Sequence, residues 1–142
     1  MEGPLLAKQE AMLDEVKSEG WYALVADDDD DFRTLVSGAL RRAGYQVCEA
    51  RDGEELIERY AALRVLTRQH LVVVSDIGMP GRDGVTATAS LRLASADVPI
   101  LLVTGERSPH ILRDARAAGA NVVLSKPVDG PTIVAALRRI CR

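Results

Sequence analysis

The chain of 142 residues has about the length of one domain and is long enough to bury a hydrophobic core. Its net charge of −3, with both signs interspersed, argues against a nucleic-acid-binding surface or a polybasic patch for membranes. The longest apolar runs fall well short of the roughly 20 residues of a membrane helix, and an aromatic content of 4% predicts an aliphatic core.

Two further features concern the compartment in which the chain works. Residues 1–4 contain no basic region and begin no signal-type apolar stretch, so nothing in them indicates export. Cys48 and Cys141 form neither a CxxC motif nor a disulfide framework, which is typical of reduced thiols. We therefore expect a cytoplasmic protein.

Residues 1–20 stand outside the pattern of the rest of the chain. Leu5, Met12 and Val16 recur at helical spacing, which predicts an extra N-terminal amphipathic helix. The helix either packs on its own domain or contacts a partner, and the sequence leaves both readings open.

Residues 21–142 alternate between short apolar runs and stretches of 3.6-residue periodicity. The predicted strands are 22–26, 46–50, 71–75, 100–103 and 122–124. Helical stretches follow them, the first with Phe32 and Leu40 on its apolar face, the others near 53–68, 85–94, 109–118 and 131–140. Strict alternation implies an α/β fold with a doubly wound, five-stranded parallel sheet.

Polar side chains follow four of these strands. Asp27 and Asp28 follow the first strand, Asp76 the third, Thr104 the fourth, and Lys126 the fifth, within one or two residues. Open α/β sheets bind their ligands at the carboxyl ends of their strands. The pattern therefore predicts a metal and phosphoryl site at this edge.

The acidic run at 27–31 has two different uses. Aspartates directly before a helix cap its free N–H groups, which suits Asp29, Asp30 or Asp31. Asp27 and Asp28 leave the strand end before the helix begins, and with Asp76 they would repel one another unless a hard cation such as Mg²⁺ lies between them. A calcium-binding EF-hand is excluded, because the required loop glycine is replaced by a phenylalanine.

Lys126 is unusual in this chain. Of its 18 basic residues, 15 are arginine, and Lys126 is the only lysine after residue 17. A surface cation without a role would nearly always be arginine here. A lysine at a strand end is a point charge that can pair with a carboxylate or a phosphoryl group.

Taken together, the motifs resemble the receiver domain of two-component response regulators, of the chemotaxis-regulator type. The matching segments are 25–28, 76–84, 98–105, 119–120 and 126–127, and the resemblance covers about residues 22–142. It implies a flavodoxin-like (βα)5 fold with the strand order 2-1-3-4-5.

The resemblance also implies a function. Asp76 would accept a phosphoryl group from a sensor histidine kinase or a histidine phosphotransferase, and the domain would catalyse its own phosphorylation and dephosphorylation. Lys126 would neutralise phosphoryl oxygens, and Thr104 would bond one of them and change the surface that meets a downstream protein target. Mg²⁺ would be held by Asp27, Asp28, Asp76 and the Gly78 carbonyl. A monomer or weak dimer is expected.

Departures from the family pattern leave alternatives open. Val123 stands where the family has its switch aromatic, which favours a pseudo-receiver that acts as an interaction module without phosphorylation. The presence of all the pocket residues argues against this alternative. A small phosphohydrolase using Asp27 and Asp29 has the right carboxylates but leaves the Asp76 loop unexplained. No output domain follows Arg142, so the chain is either a stand-alone receiver or a fragment of a longer regulator.

Overall fold

The structure, a computed structural model, describes residues 20–67, 70–95, 97–106 and 108–141. The N-terminal helix expected in residues 1–20 lies outside this part, apart from Gly20. The strands are β1 (Tyr22–Ala26), β2 (Gln46–Ala50), β3 (Leu71–Asp76), β4 (Ile100–Thr104) and β5 (Val122–Ser125). The helices are α1 (Asp30–Arg42), α2 (Gly53–Thr67), α3 (Gly84–Ala94), α4 (Pro109–Ala118) and α5 (Gly130–Ile140).

The five strands form one parallel sheet in the order β2-β1-β3-β4-β5. This confirms the α/β class and the predicted strand order. The chain moves outward from β1 to β2 and then returns to place β3 on the other side of β1. A reversal of this kind opens a crevice at the carboxyl ends of the two strands, where such folds bind ligands.

The sheet is buried on both faces. Leu24, Val73 and Leu102 point into the cluster beneath α2, α3 and α4, whereas their neighbours Val25 and Val72 point into the cluster beneath α1 and α5. Burial on both sides explains why the strands are continuous apolar runs. Within the described ranges, no helix is long and apolar enough to cross a membrane.

Three strands run one residue further than the sequence predicts. Asp76, Thr104 and Ser125 each extend a strand, because the backbone of each still pairs with a neighbouring strand, as in the Asp76–Val103 and Thr104–Ser125 pairs. Each of these polar residues follows the apolar run and is the last residue of its strand. The functional side chains are thereby fixed to rigid backbone.

The loop between β3 and α3 folds back tightly onto the end of β3. The Gly84 N–H donates to the Ile77 carbonyl at 2.9 Å. A Cβ at Gly84 would lie 2.3 Å from the Asp76 carbonyl oxygen, so this close approach requires glycine. Asp83 then caps α3 by accepting from the Thr86 N–H. The loop is closed on itself and leaves the Asp76 side chain at the sheet edge.

Two helical glycines should respond oppositely to alanine. A Cβ at Gly130 in α5 would lie 2.4 Å from the Ala39 Cβ of α1, so Gly130→Ala should lower the free energy of unfolding by about 1–3 kcal/mol through overpacking. Gly38 lies inside α1 and would meet only the flexible tip of Arg42, at 3.3 Å. Gly38→Ala should therefore stabilise the protein by about 0.5–1 kcal/mol.

Urea unfolding of both variants measures the difference. Equal stability of Gly130→Ala and the unsubstituted protein would contradict the close contact between α1 and α5.

Candidate functional site

Three carboxylates converge at the carboxyl edge of β1 and β3. Asp27 and Asp28 directly follow β1, and Asp76 is the last residue of the adjacent strand β3. One oxygen from each lies within 4.8 Å of the others. Asp27 and Asp76 are only 2% and 7% exposed, whereas Asp28 is exposed. The structure thus brings together the three carboxylates that the sequence singled out.

The remaining aspartates of the acidic run serve the helix. Asp29 is the N-cap of α1, where its side chain accepts from the N–H groups of Asp31 and Phe32. Asp30 and Asp31 are in the first helical turn, where negative charge suits the helix dipole. Asp27 turns the other way, and its Oδ1 accepts from the Asp29 N–H at 2.8 Å. Because α1 begins at Asp30, Asp29, Asp30 and Asp31 serve the helix, whereas Asp27 and Asp28 precede it and join the cluster.

Lys126 reaches the acidic cluster from the end of β5. Its Nζ lies 3.2 Å from Asp76 Oδ1 and 3.4 Å from Asp27 Oδ2. The same ammonium lies 4.4 Å from the centre of the Phe32 ring, in a cation–π contact. Its backbone N–H donates to the Thr104 carbonyl at 2.8 Å, and the Lys126–Pro127 peptide bond is cis. The ammonium is therefore positioned over both buried carboxylates.

A cleft of about 280 Å³ opens beside Asp76. Thr104, at the end of β4, lines it, and so does Gly78, where an added Cβ would lie 3.8 Å from Asp76 Oδ2. The Thr104 hydroxyl accepts from the Glu106 N–H at 3.0 Å and donates to the Glu106 carbonyl at 3.1 Å. All the site residues predicted from the sequence therefore meet at one edge, with the Thr104 hydroxyl bonded to its own loop.

Burial and mutual repulsion set the protonation of the cluster. Burial, and then the charge of Asp27, raises the pKa of Asp76 to about 6, although Lys126 acts in the opposite direction. Burial also raises the pKa of Asp27, against the Asp29 N–H and Lys126. Burial disfavours the charge of Lys126, but Asp76 and Asp27 outweigh it and raise the pKa of the ammonium. One lysine does not neutralise three carboxylates.

The donor set fits a hard divalent cation. The converging side-chain donors are carboxylate oxygens, which Mg²⁺ and Ca²⁺ prefer over nitrogen or sulfur ligands. Burial, and then the charge of Asp27, disfavours the ionised form of Asp76 and raises its pKa, and a positive charge at this edge would offset both effects.

Four residues around the site were not singled out as functional from the sequence. Phe32 lies beneath Lys126, Arg33 donates to the Asp27 carbonyl at 2.7 Å, and Glu106 and Ile111 line the cleft. The periodicity of α1 places Phe32 and Arg33 on a helix but carries no signal for their partners on other elements.

The two histidines are not in the cluster. The His70 ring lies 5.1 Å from the Trp21 ring, at the opposite edge of the sheet. His110 Nδ1 lies 2.5 Å from the Ser108 hydroxyl on the exposed start of α4. Neither position gives the histidine a role in the acidic site.

The family model of the response regulator receiver domain matches residues 23–138. The chain belongs to this family. Its expected membership in two-component signalling is thereby confirmed. The transcriptional regulatory protein PrrA of Mycobacterium tuberculosis is 34% identical over 120 residues, which cover 84% of this chain and 49% of PrrA. The chain thus spans about half the length of the curated regulators that it matches.

Solved structures are also similar to this chain, in sequence and in fold. The chemotaxis protein CheY4 of Vibrio cholerae is 33% identical with a TM-score of 0.76, and the match covers 84% of this chain and 98% of CheY4. A response regulator protein of Burkholderia pseudomallei is 27% identical with a TM-score of 0.74, over 85% of this chain and 68% of that one. That structure contains a phosphorylated aspartic acid and a calcium ion.

Asp76→Asn should stabilise the protein when divalent cations are absent. The pKa of Asp76 is raised in the folded protein from its ordinary 3.8 to about 6, so its ionisation opposes folding. This cost is complete above about pH 6 and vanishes below about pH 4, which predicts a gain on the order of 2 kcal/mol at pH 7.5.

Urea unfolding with a chelator at pH 7.5 and pH 4.5 measures the gain, with Asp31→Asn as a matched control on the exposed first turn of α1. A gain of Asp76→Asn that stays the same at both pH values would contradict the assignment to this carboxylate.

Proposed function

We propose that this receiver domain accepts a phosphoryl group on Asp76 in a Mg²⁺-dependent reaction. The donor would be the phosphohistidine of a sensor histidine kinase or of a histidine phosphotransferase. The observation that carries the proposal is the position of Asp76 at a strand end, beside two further carboxylates and 3.2 Å from the Lys126 ammonium. The phosphorylated aspartic acid in the Burkholderia pseudomallei relative supports the same chemistry.

Asp76 would be the nucleophile. Its carboxylate oxygen would form a bond to phosphorus while the bond between phosphorus and the donor imidazole breaks. Such a transfer needs positioning and neutralisation of charge more than proton transfer. The adjacent cleft of about 280 Å³ provides room for the incoming phosphoryl group.

Four groups would hold the cation, namely Asp27, Asp28, Asp76 and the backbone carbonyl of Gly78. When bound, Mg²⁺ would neutralise charge on the phosphoryl oxygens. Asp27 is well placed to orient the cation site, because its side chain is nearly inaccessible and its Oδ1 accepts from the Asp29 N–H. Asp28 is exposed, so a water molecule can replace its carboxylate oxygen as a ligand of the cation.

Lys126 would pair with a phosphoryl oxygen after transfer. Its ammonium pairs with Asp76 and Asp27 in this structure, and its backbone N–H donates to the Thr104 carbonyl. A positioned charge stabilises the transferring group without the cost of reorganising solvent.

Thr104 would report phosphorylation to the surface. Its hydroxyl would exchange the bonds to Glu106 for a bond to a phosphoryl oxygen, drawing the loop after β4 inward. Val123 is half-buried and too small to swing between two positions as an aromatic ring does. The change would therefore be centred on this loop and α4, where a downstream protein target would bind.

A pseudo-receiver is the second candidate function, and the valine at position 123 favours it. The phosphohydrolase alternative loses support, because the Asp29 side chain caps α1.

For the organisation of the chain we propose an N-terminal extension in residues 1–20 and the receiver in residues 21–142. It would act in the cytoplasm as a monomer or weak dimer.

Acetyl phosphate with Mg²⁺ should add one phosphoryl group to the protein and none to Asp76→Asn. Intact-protein mass spectrometry detects the addition, and hydroxylamine should remove it because an acyl phosphate is labile to this reagent. Asp31→Asn is the matched control and should be modified normally. A hydroxylamine-labile phosphoryl group on Asp76→Asn would contradict the assignment. A folded but unmodified protein would favour the pseudo-receiver, and turnover of a phosphomonoester would favour the phosphohydrolase.

Mg²⁺ affinity should depend on the clustered aspartates and not on those of the helix. Asp28→Asn removes a carboxylate of the cluster and should weaken binding at least about tenfold. Asp31→Asn removes the same charge from the first turn of α1 and should change the affinity less than about twofold. Isothermal titration calorimetry measures both affinities. Equal affinities of the two variants would show that the cation does not bind at the cluster.

A further inference from the structure

The Arg33 side chain is a nearly buried cation beside the acidic cluster but outside it. It belongs to the first turns of α1 and is 11% exposed. All three guanidinium nitrogens have acceptors. Nη1 donates to the Asp27 carbonyl at 2.7 Å, Nε to Glu49 Oε1 at 2.9 Å, and Nη2 to Asp30 Oδ1 at 2.6 Å. A guanidinium with three simultaneous partners is held in one orientation.

These bonds tie the loop after β1 to two other elements. Asp27 lies just beyond the end of β1, and its N–H still pairs with the Ala50 carbonyl of β2 at 3.1 Å. Arg33 holds the other side of the same residue, through its carbonyl. Glu49 belongs to β2 and Asp30 to α1, so the guanidinium joins the loop, the edge strand and the helix.

The direction of the Asp27 and Asp28 side chains depends on this backbone. A rotation of the Asp27 peptide would change the directions of both carboxylates relative to Asp76, because the two residues share one short loop between β1 and the N-cap Asp29. Groups that orient metal ligands without touching the metal commonly change metal affinity 10–100-fold when removed.

We propose that Arg33 is a positioning residue of the cation site, held by Glu49, and that it sets the Mg²⁺ affinity by fixing the Asp27 carbonyl. The inference rests on the proposed function, since it assigns Arg33 to the cation site described there. Arg33 acts through the backbone of Asp27 and touches neither the cation nor the phosphoryl group.

The sign of the effect separates positioning from electrostatics. Removing a positive charge near an acidic site strengthens the binding of a cation, if charge alone decides. Loosening the ligands weakens it. A loss of Mg²⁺ affinity on removal of Arg33 therefore identifies the geometric contribution.

Arg41 supplies a matched control. It lies in the last turn of the same helix, at the end opposite the Asp27 loop, and its Nη2 contacts the other oxygen of Glu49, at 3.4 Å. Arg33→Met and Arg41→Met remove the same charge and the same kind of contact to Glu49. Only Arg33→Met releases the Asp27 carbonyl.

The experiment titrates Mg²⁺ alone into both variants by calorimetry, with urea unfolding in chelator to record stability. Arg33→Met should bind Mg²⁺ about tenfold more weakly than the unsubstituted protein, and Arg41→Met should stay within about twofold. The Mg²⁺ concentration for half-maximal phosphorylation by acetyl phosphate should rise in Arg33→Met and stay within about twofold in Arg41→Met.

Equal or tighter Mg²⁺ binding by Arg33→Met than by Arg41→Met would overturn the proposal, even if Arg33→Met is less stable. Should Arg33→Met not fold, Arg33→Lys and Arg41→Lys carry the test by the same criterion, because lysine keeps the charge but lacks the planar fork. An unsubstituted protein that binds no Mg²⁺ would overturn the proposed function as well. Tight binding by the unsubstituted protein, with no difference between the variants, would overturn only this inference.

Discussion

The repulsion among three carboxylates is the constraint around which this edge of the protein is organised. Asp27 and Asp76 are nearly withdrawn from water, and oxygens of Asp27, Asp28 and Asp76 lie within 4.8 Å of one another. Burial, and then the charge of Asp27, raises the pKa of Asp76 to about 6. Lys126 neutralises part of the negative charge. The remaining repulsion lowers the stability of the folded protein. A sheet buried on both faces provides stability that does not depend on the site.

The order of the strands makes this concentration of charge possible. Asp27 and Lys126 are 99 positions apart in the chain, yet parallel strands bring their ends to one edge. Because β1 and β3 are neighbours, two acidic strand ends adjoin, and Lys126 reaches them from β5 across the end of β4. The strands fix the backbone of each group, while the loops that follow shape the cleft. Functional loops are commonly positioned in this way by a rigid scaffold.

The sequence predicted the strands well, because strands buried on both faces are continuous apolar runs. It also predicted the polar groups that end them. Asp76 and Thr104 were placed one residue beyond their strands, since the apolar run ends before the backbone pairing does. The contacts of Phe32 and Arg33 were not predictable in this way. Helical periodicity places a residue on a helix, but the partners of these two lie on other elements, Lys126 just after β5 and Glu49 in β2.

The hydrogen bonds of Thr104 would limit how strongly the proposed phosphorylation switches the surface. Its hydroxyl already bonds the Glu106 N–H and carbonyl, so a bond to a phosphoryl oxygen would be an exchange and not a simple gain. Two neutral bonds of about 1 kcal/mol each would be replaced by one bond to a charged group of about 1.5–3 kcal/mol, which leaves a net preference of at most about 1 kcal/mol. Such a preference shifts a two-state equilibrium by at most about fivefold. With valine at position 123, no large aromatic ring adds buried area to either state. A receiver built in this way would give a weak response in the loop after β4 and in α4, and a downstream target would have to supply the remaining discrimination through its own contacts.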